Sequence, residues 1–295
     1  MGRFSGIEPM ITLVATICIS ATVISQEHPN PIVRVDHIVA QSTQAQHLYE
    51  FLHDELLLPE VWPFTDYGGF ASGGLSLGNV VIEIIKWNET NSRLTDQATF
   101  QGIAFEPAGS ASSTIEWMDQ KSIGHSALDP YAINIDGEEL VLWETFSIEV
   151  PPTISVIFVC DYKDREAFVQ EPQAASSQAL LNSGGGPVGI LACREIVIAV
   201  TDIEGDTNDW IRLLGQARLT SPGLFEFSVG PAVRLVESSD VGIREIVLEV
   251  RSLDQAREFL ASNELLGSMT EDHVMILPEA VQGLDIRLLQ SNREE

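Results

Sequence analysis

The chain has 295 residues, 44% of them apolar and 20% charged, a balance that leaves room for two folded domains and excludes a disordered chain. Its formal net charge of −27 excludes nucleic acid and anionic lipid as main partners, because such a surface repels both. Lys86, Lys121 and Lys163 are the lysines and every other cation is an arginine, so the acidic surface reads either as a solvation device or as a face for a cationic partner.

At the N-terminus, Arg3 precedes an uncharged run from Met10 to Ile24, which is followed by polar Gln26, Glu27 and His28. This resembles a secretory signal peptide over residues 1–25, so export to a periplasm or the exterior is expected. The run is short for a membrane span, and no stable span is expected after cleavage. An uncleaved anchor, a misassigned start at Met10 or a cytoplasmic protein is the alternative. Cys18 would leave with the signal. Cys160 and Cys193 read as buried free thiols or as a pair, and their spacing suits no zinc motif.

The first strand is expected over Arg34 to Gln41, with Val35, His37 and Val39 on one face and Ile38 and Ala40 on the other. Ser42 or Thr43 can cap the following helix, whose apolar stripe is Leu48, Phe51, Leu52 and Leu56. Tyr67 to Asn79 is glycine-rich and reads as tight turns between short strands. Val80 to Ile85 is an apolar strand interrupted by Glu83. A second, looser unit follows: a strand around Gly102, a helical turn over Ser112 to Gln120, a hairpin centred on Asp136-Gly137 and an apolar strand ending at Asp161-Tyr162. Residues 167–189 are small and polar with a triple glycine, which is linker composition, so the domains are placed at 33–166 and 190–292. The later units open with REIVIAV and REIVLEV. Their helices carry Trp210, Leu213 and Leu214, and, after a Ser252 cap, Ala256, Phe259 and Leu260.

Four strand starts align as His37-Ile-Val, Gly102-Ile-Ala, Glu195-Ile-Val and Glu245-Ile-Val. Each begins a strand–helix–three-strand unit. The expected class is α+β, with two domains of paired βαβββ modules, each a curved, mostly antiparallel sheet forming a cup with helices outside.

On the stretches VDHIV, GGLSLGNVVIEIIKW and IFVCDYKDR, the chain from about Val33 to Gln290 resembles the vicinal oxygen chelate superfamily in its glyoxalase-like branch. The resemblance implies that a first strand supplies a histidine and a last strand a glutamate to a divalent metal. It also implies lyases, extradiol dioxygenases, epimerases, or metal-free binding proteins of the bleomycin-resistance type. On this pattern His37 and Glu83 are the expected metal ligands, and Glu83 is alternatively a general base. The plainer reading of His37 is a core histidine bonded to a backbone carbonyl. That of Glu83 is a carboxylate paired with an arginine or with His37 itself. Gly102 supplies no ligand, and Phe158, Cys160 or Asp161 occupies the matching last-strand position, depending on register. His125 or Asp161 could complete the set, while His47 and His53 read as surface residues and His273 as part of a turn. Glu195 with Arg234, and Glu245 with Arg287, replace the ligand pair by carboxylate–guanidinium pairs, so the C-terminal domain is expected to lack a metal. No P-loop is present. The expected function is small-molecule binding in the N-terminal cup, with a metal-dependent lyase or dioxygenase and a metal-free sequestering or structural protein as the readings to separate.

Overall fold

The structure, a computed structural model, describes residues 30–88, 97–149 and 156–292. The expected signal peptide and Cys18 lie outside them. The first module is β1 (Ile32–Gln41), α1 (Ala45–Glu50), β2 (Glu60–Asp66), β3 (Phe70–Ser76) and β4 (Val81–Trp87). The second is β5 (Thr99–Pro107), α2 (Ala111–Gln120), β6 (Asp129–Ile135), β7 (Glu138–Ile148) and β8 (Val156–Tyr162). Then comes α3 (Glu171–Asn182). The third module is β9 (Ile190–Val200), α4 (Ile203–Leu214), β10 (Leu219–Ser221), β11 (Leu224–Phe225) and β12 (Ala232–Glu237). The fourth is β13 (Gly242–Val250), α5 (Leu253–Ser262), β14 (Leu266–Met269), β15 (His273–Ile276) and β16 (Ile286–Gln290).

Among the described residues the strands form two eight-stranded sheets, ordered β2-β3-β4-β1-β5-β8-β7-β6 and β10-β11-β12-β9-β13-β16-β15-β14. Each module thus contributes four adjacent strands. Its first and last strands run parallel and the two modules join antiparallel at their first strands. The α+β class and the paired βαβββ architecture are as expected.

The helix-facing side of both sheets is one continuous apolar core. Ile32, Val35, Ile38 and Ala40 of β1 lie in it, as do Leu48, Leu52 and Leu56 from the first helix. Phe105 of β5 meets Trp210 of α4 at 6.4 Å, so the two halves share this core. Local chemistry sets the helix starts. Ser110 and Ser113 form a capping box on α2, Asp202 caps α4 through Gly205 N–H, and Ser252 caps α5 through Gln255 N–H. The expected helical turn at Ser112 is therefore a full helix, and α4 begins three residues before Asp206. Neither Ser42 nor Thr43 caps α1. Its N-cap is Gln44, and Ser42 Oγ accepts from the Gln44 N–H instead.

Two expectations fail for clear physical reasons. The segment read as linker is helical from Glu166 through Asn182, with Val169, Ser176 and Leu180 buried. Alanine, glutamine and glutamate favour helix as readily as they decorate linkers, and one buried stripe suffices to dock it. The triple glycine does make a turn, with φ of +69°, +85° and +67° at Gly184, Gly185 and Gly186. Gly73 and Gly74, read as turn residues, lie inside β3. A Cβ on Gly74 would overlap the Trp62 indole and one on Gly73 would strike the Tyr49 ring, so these glycines admit an aromatic ring on each face of the strand.

Candidate functional site in the N-terminal cup

One backbone feature aims the site. Each first strand carries a β-bulge at the same place: Asp36 before His37, Gln101 before Gly102, Arg194 before Glu195 and Arg244 before Glu245. The extra residue breaks strict alternation. Val35 therefore joins Ile38 in the core, and not His37 and Val39 as expected, while Asp36 turns with His37 toward the concave side.

The last strands stand in one register with the first. His37 pairs with Val81, and Glu83 lies two residues on, opposite Val39. The same offset sets Phe158 against Gly102 and Arg234 against Glu195, and places Arg287 two residues past the partner of Glu245. The module pairs are thus His37–Glu83, Gly102–Phe158, Glu195–Arg234 and Glu245–Arg287.

His37 is 4% exposed. Its Nδ1 donates to Asp36 Oδ2 at 2.7 Å, and its Nε2 faces Glu83 Oε2 at 3.3 Å. Burial disfavours the charged ring, but the two carboxylates outweigh it and raise its pKa to about 10. Trp62 and Phe158 stand edge-on to the imidazole at 6.4 and 5.6 Å. Cys160 and Tyr162 follow Phe158 on β8. Burial, together with the Asp36 and Glu83 charges, raises both the thiol and the phenol well above their usual range. Asp36 is 3% exposed, and its Oδ1 has no hydrogen-bond partner.

Aromatic side chains close the cup. Tyr131 stacks on Trp143 at 4.1 Å, Trp143 reaches Tyr162, and Tyr67 and Phe70 meet Tyr131 at 6.3 Å from the opposite hairpin. At one end of the cup, under α3, lies a cavity of about 550 Å³. Its walls include Arg34, Val81 and Glu106 from the sheet and Gln173, Ala174 and Ser177 from α3. Val81 is the strand partner of His37, while Asp36, His37 and Glu83 themselves do not line the cavity. Arg34 is held there by Glu106 Oε2 at 2.6 Å and by Gln173.

Other candidates fall elsewhere. Asp161 points to the helix side, where it accepts the Ala111 N–H at the start of α2 and pairs with Arg165. His125 bonds Ser126 O and Asp119 and stands against core residue Phe146. Neither completes a set with His37. His47 is exposed, and His53 bonds Asp54 beside Tyr49. Cys160 and Cys193 are both buried free thiols. In the C-terminal cup Arg234 grips Glu195 with two bonds of 2.5 and 2.8 Å, and Arg287 bonds Glu245. Burial raises both carboxyls, but the two-pronged grip and Arg194 bring Glu195 below its usual range. Glu245, with its single bond, stays above it. These are the carboxylate–guanidinium pairs the sequence suggested.

The donor set can be tested against a metal. His37 Nε2 and Glu83 converge, and Asp36 fixes the ring as an outer carboxylate does in many metal sites. The second module brings Gly102 and Phe158 to the remaining positions, and among the described residues no three His, Cys, Asp or Glu side chains are grouped to hold an ion. Two donors fall short of the three protein ligands of an ordinary catalytic metal site.

No family model matches the chain, and no curated protein is similar to it. Solved structures do share its architecture. A hypothetical protein from Staphylococcus aureus aligns at TM-score 0.58 and 9% identity, covering 88% of this chain and 100% of that one. The 2,3-dioxygenase LapB from Pseudomonas sp. KL28 aligns at 0.55 and 12%, covering 90% and 94%. A mutant 4-hydroxymandelate synthase from Streptomyces coelicolor aligns at 0.58 and 9%, also covering 90% and 94%. The chain shares the fold of these structures. At these identities the likeness concerns the fold alone.

The sequence singled out His37 and Glu83 but not Asp36 or the aromatic closure. A signal for Asp36 was present. Each module's first strand carries a pair of adjacent polar or glycine residues at this place, Asp36-His37, Gln101-Gly102, Arg194-Glu195 and Arg244-Glu245, where strict alternation would allow a single such residue.

Proposed function

We propose that the N-terminal cup binds a small organic molecule, with Asp36, His37 and Glu83 as its polar floor. The observation that carries this is the buried Asp36–His37–Glu83 group in the cup, with Trp62 and Phe158 beside the imidazole. Small-molecule sites pair apolar walls with a few convergent polar groups. In this reading His37 is held between two carboxylates and can donate to, or exchange a proton with, a bound group through Nε2.

The test is thermal stabilisation by a panel of small aromatic alcohols, acids and amines. Phe158 stands beside the imidazole, so His37→Gln and Phe158→Ala should each reduce the shift. A full shift in both variants would place the binding elsewhere.

A second reading is a divalent-metal lyase or dioxygenase with His37 and Glu83 as ligands, and one observation favours it: Asp36 holds Nδ1, so Nε2 faces Glu83. A metal there would polarise substrate oxygens as a Lewis acid. Metal content after incubation with zinc, manganese or ferrous iron separates the readings. Equal, negligible metal in wild type and His37→Ala removes the metal reading.

A further inference from the structure

The cavity under α3 lies apart from the Asp36–His37–Glu83 group and has a chemistry of its own. Its volume is about 550 Å³, and three parts of the chain meet around it: strands of the first sheet, α3, and Val229 of the C-terminal half. Val80 and Val81 are buried, whereas Ala174 and Val229 are exposed, so the space runs from solvent down to an apolar wall. Arg34 is the cation in its lining.

The polar groups of this lining fall into two sets. One set is engaged within the protein. Asn79 donates to the Cys193 carbonyl and accepts its N–H, Ser177 Oγ donates to Gly78 O, and Ser76 Oγ accepts the Gly78 N–H. Glu106 accepts from Arg34 at Oε2 and from Arg165 at Oε1, and Arg165 also bonds Asp161, so neither oxygen of Glu106 is left over. The other set is open, and it consists of donors. Arg34 gives Nε to Glu106 and Nη2 to Gln173 Oε1, while among the described residues its Nη1 has no hydrogen-bond partner and is not sealed from solvent. Gln173 accepts from Arg34, and its Nε2 donates to no described residue. Glu106 and Gln173 hold the guanidinium in place, which lowers the cost of ordering it around a ligand. A fixed guanidinium with one nitrogen unused, beside valine side chains, matches an acceptor oxygen on an aliphatic body. A carboxylate makes the strongest bond of that kind.

We propose that this cavity is a second ligand site, separate from the cup floor, and that its ligand is an aliphatic monocarboxylate. The carboxylate bonds Arg34 Nη1 and Gln173 Nε2, and the hydrocarbon chain lies along Val80 and Val81. The net charge of −27 opposes an anion at long range, so a preference for the acid over the alcohol has to come from this contact. The experiment is isothermal titration of the full chain with hexanoate against hexanol and hexylamine, followed by butanoate and octanoate. Hexanoate should bind at least about tenfold more tightly than hexanol or hexylamine. Affinity should rise by about threefold per methylene from butanoate to octanoate. Arg34→Gln and Gln173→Ala should each narrow the preference for hexanoate over hexanol, and His37→Gln should leave hexanoate binding unchanged. Equal or tighter binding of hexanol, or no binding of hexanoate, overturns the proposal and leaves the cup reading untouched. Loss of hexanoate binding in His37→Gln puts the acid in the cup and overturns it as well. If Arg34→Gln fails to fold, the wild-type series and Gln173→Ala, which keeps a good helix former on α3, decide the matter.

Discussion

His37 is the residue whose titration the fold alters most usefully. In the unfolded chain it loses its proton near the ordinary histidine value of about 6.5. In the folded chain the two carboxylates hold the proton up to about 10. Its contribution is therefore complete below pH 6.5 and is lost as pH rises through 10. Over that window the folded state binds more protons than the unfolded state, and stability should fall with a slope approaching about 1.4 kcal/mol per pH unit. The buried Cys160, facing the same carboxylates, acts with the same sign at higher pH. The His37 part is accordingly read as the difference between wild type and His37→Gln in urea melts at pH 6, 8 and 10. Identical slopes in the two proteins would refute the three-membered couple. Asp36→Asn should flatten the slope in the same direction, because it removes the shorter of the two contacts.

At the scale of elements, β3 and α3 depart from what their compositions suggest, and each departure can be tested. Gly74 lies where the Trp62 ring crosses β3. Gly74→Ala should destabilise by about 1–3 kcal/mol, the usual cost of overpacking, and shift tryptophan emission as the indole is displaced. Unchanged stability and emission would show that the strand tolerates a side chain there. Helix α3 should resist limited proteolysis, unlike a linker, because Leu180 is fully buried in the shared core. Leu180→Ala should cost about 2–5 kcal/mol and open the segment to cleavage. Rapid cutting of the wild type between Glu166 and Asn182 would contradict its docking. In the C-terminal cup, Glu195→Gln takes the charge from a pair that is only 12% and 35% exposed. It should destabilise by about 1–3 kcal/mol, and Glu195→Leu combined with Arg234→Met should recover much of that loss, since the penalty lies in the stranded guanidinium.

On the scale of the whole molecule, the helix-facing sides of the two sheets share a core, so the two halves should unfold together. Phe105 of the first half packs on Trp210 and Phe227 of the second, and Asn79 exchanges two hydrogen bonds with the Cys193 backbone across the halves. Trp210→Ala should lower the melting of both halves together by about 3–5 kcal/mol, seen as one calorimetric transition. Two separated transitions would show independent halves. The charge of −27 repels itself in the compact state, so added sodium chloride should raise the melting temperature at neutral pH.

Much of this was written in the chain. Period-2 and helical patterning gave the four βαβββ units, and the repeated Ile-Val starts gave their order, because burial of one face imposes a periodicity that residues record directly. The pairing of His37 with Glu83, and of Glu195 and Glu245 with their arginines, followed from equivalent positions in those repeats. What only the tertiary structure decided depends on contacts between distant residues. The bulge shows itself through pairing with the neighbouring strand, and pairing is what sends Asp36 to the cup and Val35 to the core. The closing aromatics meet only because the sheet curls, bringing Tyr67 to Tyr131 across 64 positions of sequence. The docking of α3 rests on a core assembled from both halves. Local composition can state that such a segment may be helical in principle, but only the packed surface beneath it makes it so.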